Sequence, residues 1–148
     1  MSMLPPPFDE FGQHWLNIRV YYEDTDFTGM VYHANYLRFF ERGRSDFLRD
    51  AGISHTQLLA QDPPTAFTLT NVEVDYKRAA KVDDQLSIRT RCIGVKGVRM
   101  LFQQTCLRGE EVIAEGRITA VMIHMDGRPM RPLKAVIEQL KPYQYSGA

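Results

Sequence analysis

The sequence predicts an α+β domain in which one antiparallel sheet packs on a single long helix. Between Ala34 and Ala51 the residues Tyr36, Leu37, Phe40, Gly43, Phe47, Leu48 and Ala51 recur at three- and four-residue spacing. Arg38, Glu41, Arg42, Ser45, Asp46 and Arg49 fall between them, and the two sets together make an amphipathic helix. From residue 66 onward, strand-like stretches follow one another with only short turn-like segments between them, as in hairpin-linked strands. One helix cannot supply the crossovers of a parallel sheet, so an antiparallel sheet laid on that helix is the economical architecture.

The elements follow in order. Residues 1–14 read as a flexible arm, because Pro5, Pro6 and Pro7 favour extended geometry and nothing there is periodic. In NIRVYY, residues 17–22, Ile18, Val20 and Tyr22 share one face of a predicted strand while Asn17, Arg19 and Tyr21 share the other. The helix follows, stopped by Gly52 as its C-cap. Gly43 in its interior costs about 1 kcal/mol relative to alanine, a cost that close approach to the backbone of a sheet would offset. A loop with Asp62, Pro63 and Pro64 leads to strands over 66–77, 84–95, 98–108 and 111–124, separated by KRAAKVDD, GVKG and RGEE. In the last strand Val112, Ala114, Gly116, Ile118, Ala120 and Met122 share an apolar face whose small members leave room for a helix. The main domain is thus expected over 15–132, with a short helix and tail over 133–148.

Bulk properties remove several classes of function. The 148 residues, 44% hydrophobic, suffice for one domain with a core and are too few for two ordinary ones. Eighteen basic residues balance eighteen acidic ones, so no general field draws in nucleic acid and anion recognition must be local. The first residues carry neither a positive n-region nor an apolar h-region, and no apolar run approaches the roughly 18 residues of a membrane span. A cytoplasmic location is expected. Cys92 and Cys106 lack CxxC or zinc spacing and are expected as reduced, half-buried strand residues.

The chemistry concentrates in EDTDFTGMVYHANY, residues 23–36, where Glu23, Asp24 and Asp26 precede a glycine, a histidine and the helix start. Three readings of this stretch stand side by side. Asp24-Thr25-Asp26-Phe27-Thr28 fits the D-x-D-x-T pattern of metal-dependent phosphatases, with Lys81, Asp83 and Asp84 as their downstream groups. Those enzymes, however, converge their acids at the ends of parallel strands. As plain loop chemistry, Asp24 or Asp26 forms an Asx turn and Gly29 takes a positive φ, which leaves the aromatic residues and histidine before the helix unexplained. In the third reading the helix start at His33–Tyr36 offers unpaired N–H groups to a developing oxyanion, and an upstream carboxylate serves as base or nucleophile. That pairing is what ester or thioester hydrolysis needs. No G-x-S-x-G elbow is present for a serine hydrolase, and His14, His33, His55 and His124 have no ligand spacing, so no metal or other cofactor is expected.

YYEDTDFTGMVYHANYLRFFERGRSDFL closely resembles the signature of hotdog-fold acyl-CoA thioesterases, nearest the Tol–Pal-associated YbgC-type branch and akin to 4-hydroxybenzoyl-CoA thioesterase. The likeness continues through VEVDYKRAAKVDDQLSI and covers roughly residues 15–130. It implies a hotdog fold, with a sheet of about five strands wrapped around the helix, and hydrolysis of an acyl-CoA or acyl-carrier thioester. By the same resemblance Asp26 is the catalytic carboxylate and the backbone N–H of His33 the oxyanion donor, while Tyr22, Gly29, Tyr32 and Tyr36 shape the acyl site. Coenzyme A, which enters as part of the substrate, needs local cations, and the sequence offers Lys77 and Arg78 after one strand and Lys96 and Arg99 around a hairpin. By the resemblance the second pair lies where family members bind the nucleotide phosphates, often across a subunit interface. The sequence departs from the family where relatives commonly carry proline, at Ala79. A homodimer or homotetramer with the site at the subunit seam is implied, as is peripheral association with an envelope complex. A non-catalytic hotdog module that binds an acyl carrier or an envelope partner is the alternative.

Overall fold

The computed structural model describes residues 7–147. In chain order these form β1 (His14–Arg19), α1 (Asn35–Asp50), α2 (His55–Ala60), β2 (Thr65–Tyr76), β3 (Gln85–Lys96), β4 (Arg99–Arg108), β5 (Glu111–His124), β6 (Pro129–Met130) and α3 (Lys134–Leu140). The strands make one antiparallel sheet in the order β1-β3-β4-β5-β2, and the two-residue β6 pairs with β5. The α1 helix lies in the concave face of this sheet. This is the hotdog architecture that the resemblance implied.

Two apolar clusters hold the helix down. Phe47 and Leu48 pack with Met100, Phe102, Ile118, Ala120 and Met122 near the helix end. Tyr36, Phe39 and Phe40 pack with Leu86, Ile88, Cys106, Ile113 and Ala114 near its start. A buried polar node lies under the helix in the same interface. The Gln104 amide nitrogen donates to the Phe40 carbonyl (2.8 Å) and to Thr90 Oγ1 (2.9 Å), and its oxygen accepts from Arg44 Nη1 (2.9 Å). Gly43 sits against this node, where an added Cβ would lie 2.7 Å from Ile88 Cγ2 and 2.9 Å from Gln104 Nε2. The expected close approach is real, but it is made to sheet side chains rather than to sheet backbone. At the far end Gly52 takes φ +90°, and the Ile53 N–H bonds the Leu48 carbonyl at 2.8 Å, closing the helix as a Schellman motif.

Several expectations are corrected in detail. The first strand runs over His14–Arg19 instead of 17–22, and Tyr22 opens a 3-10 turn, 86% exposed. On α1, Phe39 is buried and Leu37 is exposed. In β5 a register shift opposite Cys106 and Leu107 turns Ile113 into the core instead of Val112. Cys92 and Cys106 are free and fully buried rather than half-buried, and burial raises their thiols to about 11 and about 12. Residues 7–14 do not behave as a free arm, since Phe8 is buried with its ring 5.2 Å from Phe47 and 5.1 Å from His14. The remainder of the expected arm, residues 1–6, lies outside the described residues. The short helix α2, capped by Ser54 Oγ accepting from Gln57 N–H at 3.2 Å, falls where the sequence reads as a loop.

Candidate active site

A cleft of about 360 Å³ opens beside the start of α1, lined by Asp26, Thr28, Met30, Val31, His33, Tyr36, Tyr76 and residues 77–79. Its front wall is a tight hairpin. Thr25 pairs with Val31, the Asp26 N–H bonds the Met30 carbonyl (3.0 Å), and the Gly29 N–H bonds the Asp26 carbonyl (3.0 Å). Gly29 takes φ +81° with open space where a Cβ would stand, so it is there for the turn. It does not line the cleft.

The three acids have separate duties. Asp24 is buried at 6% exposure, where it accepts from the Tyr21 N–H (2.8 Å) and from Asn35 Nδ2 (2.8 Å). It thereby ties the loop to the first residue of α1. Asp26 stands at the hairpin tip and accepts both from the Thr28 hydroxyl (2.5 Å) and from the Thr28 N–H (2.8 Å). These two bonds, the hydroxyl's foremost, hold its carboxyl below the usual carboxylate range, with a smaller contribution from His33. Glu23 is exposed in the 3-10 turn.

The back wall is the helix start. No side chain caps α1, and the His33 N–H has no hydrogen-bond partner among the described residues. The His33 carbonyl is held instead, accepting from the Tyr76 hydroxyl at 2.9 Å. Tyr36 is buried, its hydroxyl accepts from the Ala80 N–H at 3.2 Å, and burial raises its pKa above the ordinary tyrosine value. Among the described residues no three His, Cys, Asp or Glu side chains are grouped as a metal site needs. The phosphatase reading needs its acids at the ends of parallel strands, whereas this sheet is antiparallel and Asp24, Asp26, Asp83 and Asp84 lie in turns and loops outside its strands.

The structure brings Asp26, His33, Tyr36, Lys77 and Arg78 to one cleft and separates other predicted residues from it. Tyr22 points to solvent, and Tyr32, 47% exposed, lies tilted against the His33 ring with centroids 4.5 Å apart. Lys96 and Arg99 face each other in the turn joining β3 and β4. That turn is a full strand length from the loop before β3 that borders the cleft, about 35 Å at 3.3 Å per residue. Arg78 is engaged, with its Nε 2.9 Å from Glu111 Oε2. Sequence reasoning missed Thr28 and Tyr76. Thr28 was within reach as the residue two after an Asx-type acid, whereas nothing local marks Tyr76, whose partner is 43 positions away.

A second cavity, about 310 Å³, opens between α1, α2 and β2. Leu48, Phe67, Leu69, Phe102 and Ala120 form its apolar side, and Glu41, Arg44, Ser45 and His55 its polar one.

Comparison with known proteins agrees with this geometry. Residues 20–140 match the family model described as Thioesterase-like superfamily. The chain is 37% identical over 130 residues to the acyl-CoA thioesterase YbgC of Haemophilus influenzae, covering 84% of this chain and 93% of that protein. It is 33% identical over 127 residues to the acyl-CoA thioester hydrolase YbgC of Escherichia coli, covering 84% and 92%. The crystal structure of a probable thioesterase from Bartonella henselae superposes with a TM-score of 0.79 at 39% identity, over 82% of this chain and 99% of that one. With the family matched across the fold and the cleft, the chain belongs to the thioesterase-like superfamily.

Proposed function

We propose that this protein is an acyl-CoA thioester hydrolase that releases a free acid and the coenzyme A thiol, and that Asp26 and the His33 amide carry the reaction. The observation that supports this most is a shared cleft: an ionised carboxylate on one wall, an unpartnered backbone N–H at a helix start on the other, and Lys77 and Arg78 beside them. The thioester carbonyl oxygen, as it gains charge, takes a hydrogen bond from the His33 N–H. Asp26 acts on the carbonyl carbon, either by accepting a proton from attacking water or by attacking to form a mixed anhydride that water then opens. Carboxylate and amide supply both halves of the chemistry without a resident metal. Lys77 and Arg78 receive coenzyme A phosphates, and the location is the cytoplasm.

The working unit is a dimer, alone or doubled into a tetramer. Among the described residues the sheet's last strand, β2, pairs only with β5, and it carries the half-exposed Leu69, Val72 and Tyr76. An open edge of this kind is satisfied by a second copy. Antiparallel joining of two β2 strands brings the Phe67–Leu69 end of one, with its apolar cavity, toward the Tyr76–Arg78 end of the other, with its cleft. The acyl group is then housed at the seam.

Steady-state hydrolysis of an acyl-CoA panel by wild type and by Asp26→Asn tests the assignment. The variant should lose at least about 100-fold in kcat. Retention of more than about a tenth of the activity removes Asp26 from the reaction, and saturable acyl-CoA binding without wild-type turnover makes the protein a binding module instead.

A further inference from the structure

The segment between β2 and β3, residues 77–84, is the floor on which the catalytic hairpin rests. Ala80 is fully buried. Its carbonyl accepts from the Val31 N–H at 2.8 Å and its own N–H donates to Tyr36 Oη at 3.2 Å. Lys81 pairs with Met30, the same residue whose carbonyl receives the Asp26 N–H. Asp26 therefore stands on Met30 and Val31, and these stand on Ala80 and Lys81.

That floor is clamped from the β4–β5 hairpin by Arg108. Its Nη1 donates to the Ala79 carbonyl (3.2 Å) and to Asp84 Oδ2 (2.7 Å). Its Nη2 and Nε both donate to Glu111 Oε1, at 2.7 and 3.2 Å. Asp84 Oδ2 in turn accepts from the Lys81 N–H at 3.0 Å, and Glu111 Oε2 holds Arg78 Nε at 2.9 Å. One guanidinium thus reaches the backbone under the hairpin by two routes, through Ala79 and through Asp84. By a third, through Glu111, it reaches a cation of the cleft. Fixed-fork geometry suits arginine to this task, whereas a lysine ammonium cannot span three acceptors so placed.

We propose that Arg108 is a positioning residue for thioester hydrolysis: through Ala79 and Asp84 it sets the height of the Asp26 hairpin, and through Glu111 it sets the direction of Arg78. The proposal rests on the reading of Asp26 and the cleft given above. Its two arms have different kinetic signatures. The Asp84 arm acts on the carboxylate at the reacting carbon and governs kcat, and the Glu111 arm acts on a group that binds substrate and governs KM.

Arg108→Met keeps the side chain's reach and removes its donors. With the acyl-CoA that wild type turns over fastest, its kcat/KM should fall about 10- to 100-fold, since small misplacement of a reacting group costs up to that much. Arg108→Lys should not restore it. Asp84→Asn should lower kcat with KM nearly unchanged, and Glu111→Gln should raise KM with kcat nearly unchanged. Amide hydrogen exchange, which needs no turnover, is measured on the same proteins. Residues 26–31 should exchange at least about tenfold faster in Arg108→Met while residues 14–19 keep their protection, since a local opening leaves the rest of the fold closed. Equal acceleration of both segments means general destabilisation and overturns the proposal. So does unchanged exchange at 26–31, or kcat/KM within twofold of wild type. If wild type hydrolyses no acyl-CoA, the enzymatic reading fails, and the exchange measurement still decides whether Arg108 holds the hairpin.

Discussion

Thr28 governs the charge on Asp26. Its hydroxyl and its amide both donate to one carboxylate oxygen, and hydrogen bonds to the charged form hold the proton off. The group stays ionised at neutral pH and well into the acid range. Removing the hydroxyl with Thr28→Val leaves only the amide, so the pKa of Asp26 should move up toward the ordinary value. Activity that needs the carboxylate is lost as pH falls through that pKa. The acid limb of the kcat/KM profile should therefore lie at higher pH in the variant, with activity near neutral pH within roughly threefold of wild type. A pH–rate series on the two proteins measures this, and an unmoved limb assigns it to another group. This part of the site was legible because it is local. Spacing set an acid a few residues before a helix start, and the turn chemistry of Asp26, Thr28 and Gly29 needs no distant partner. The resemblance sets Lys96 and Arg99 apart from Lys77 and Arg78, at a hairpin that relatives often bring to the phosphates across a subunit interface, and within one chain they stand at the far end of β3 from the cleft. Nothing in a strand's sequence says which end of it faces the cleft.

At the scale of elements, residues were misplaced where the chain leaves a period. Tyr22 alternates correctly with Ile18 and Val20, but β1 ends at Arg19 and the chain turns into a 3-10 helix, so the alternation stops meaning a face. On α1 the stripe is wider than the seven apolar positions imply, since Phe39 is buried beside Phe40 as the sheet curls around the helix. The Arg42 guanidinium lies 5.8 Å over the Phe39 ring. The β2 strand was recognised, but not its place at the edge, which depends on the order of all the strands. That place makes a prediction. Val72→Lys puts a charge on the open edge, where it repels a second copy without entering the core. Sedimentation should show the 17.1 kDa chain shifted from dimer or tetramer toward monomer, with hydrolysis falling in parallel and the melting curve still cooperative. A wild-type protein that already sediments as a monomer would refute the seam.

Among the described residues the sheet of the whole molecule ends in two edge strands, β1 and β2, each laddered to a single neighbour. On the β1 side, β1 pairs with β3 only as far as Thr90, which leaves the last residues of β3 uncovered by any strand. The C-terminal segment closes this gap. Gln144 pairs with Cys92 in parallel, the Tyr145 N–H bonds the Cys92 carbonyl at 2.8 Å, and Gln144 Nε2 bonds the Ile93 carbonyl at 3.2 Å. The Arg91 guanidinium lies 4.2 Å over the Tyr145 ring. Tyr143, 4.4 Å from Phe8, joins both termini over Phe47, and the buried His14 ring meets Asp50 at 2.8 Å beneath them. Antiparallel pairing through β2 is isologous and so closes after two copies, while the C-terminal segment covers the end of β3 that would otherwise offer a further strand edge. Deleting residues 141–148 uncovers that end of β3. The loss of three or four bonds and the Tyr143 packing should cost about 2–4 kcal/mol, measured by urea denaturation. The exposed β3 edge should add species larger than the wild-type assembly in sedimentation velocity, while the cleft, at the opposite end of β3, keeps its kcat. Equal stability and an unchanged size distribution would mean that the segment does not guard the edge.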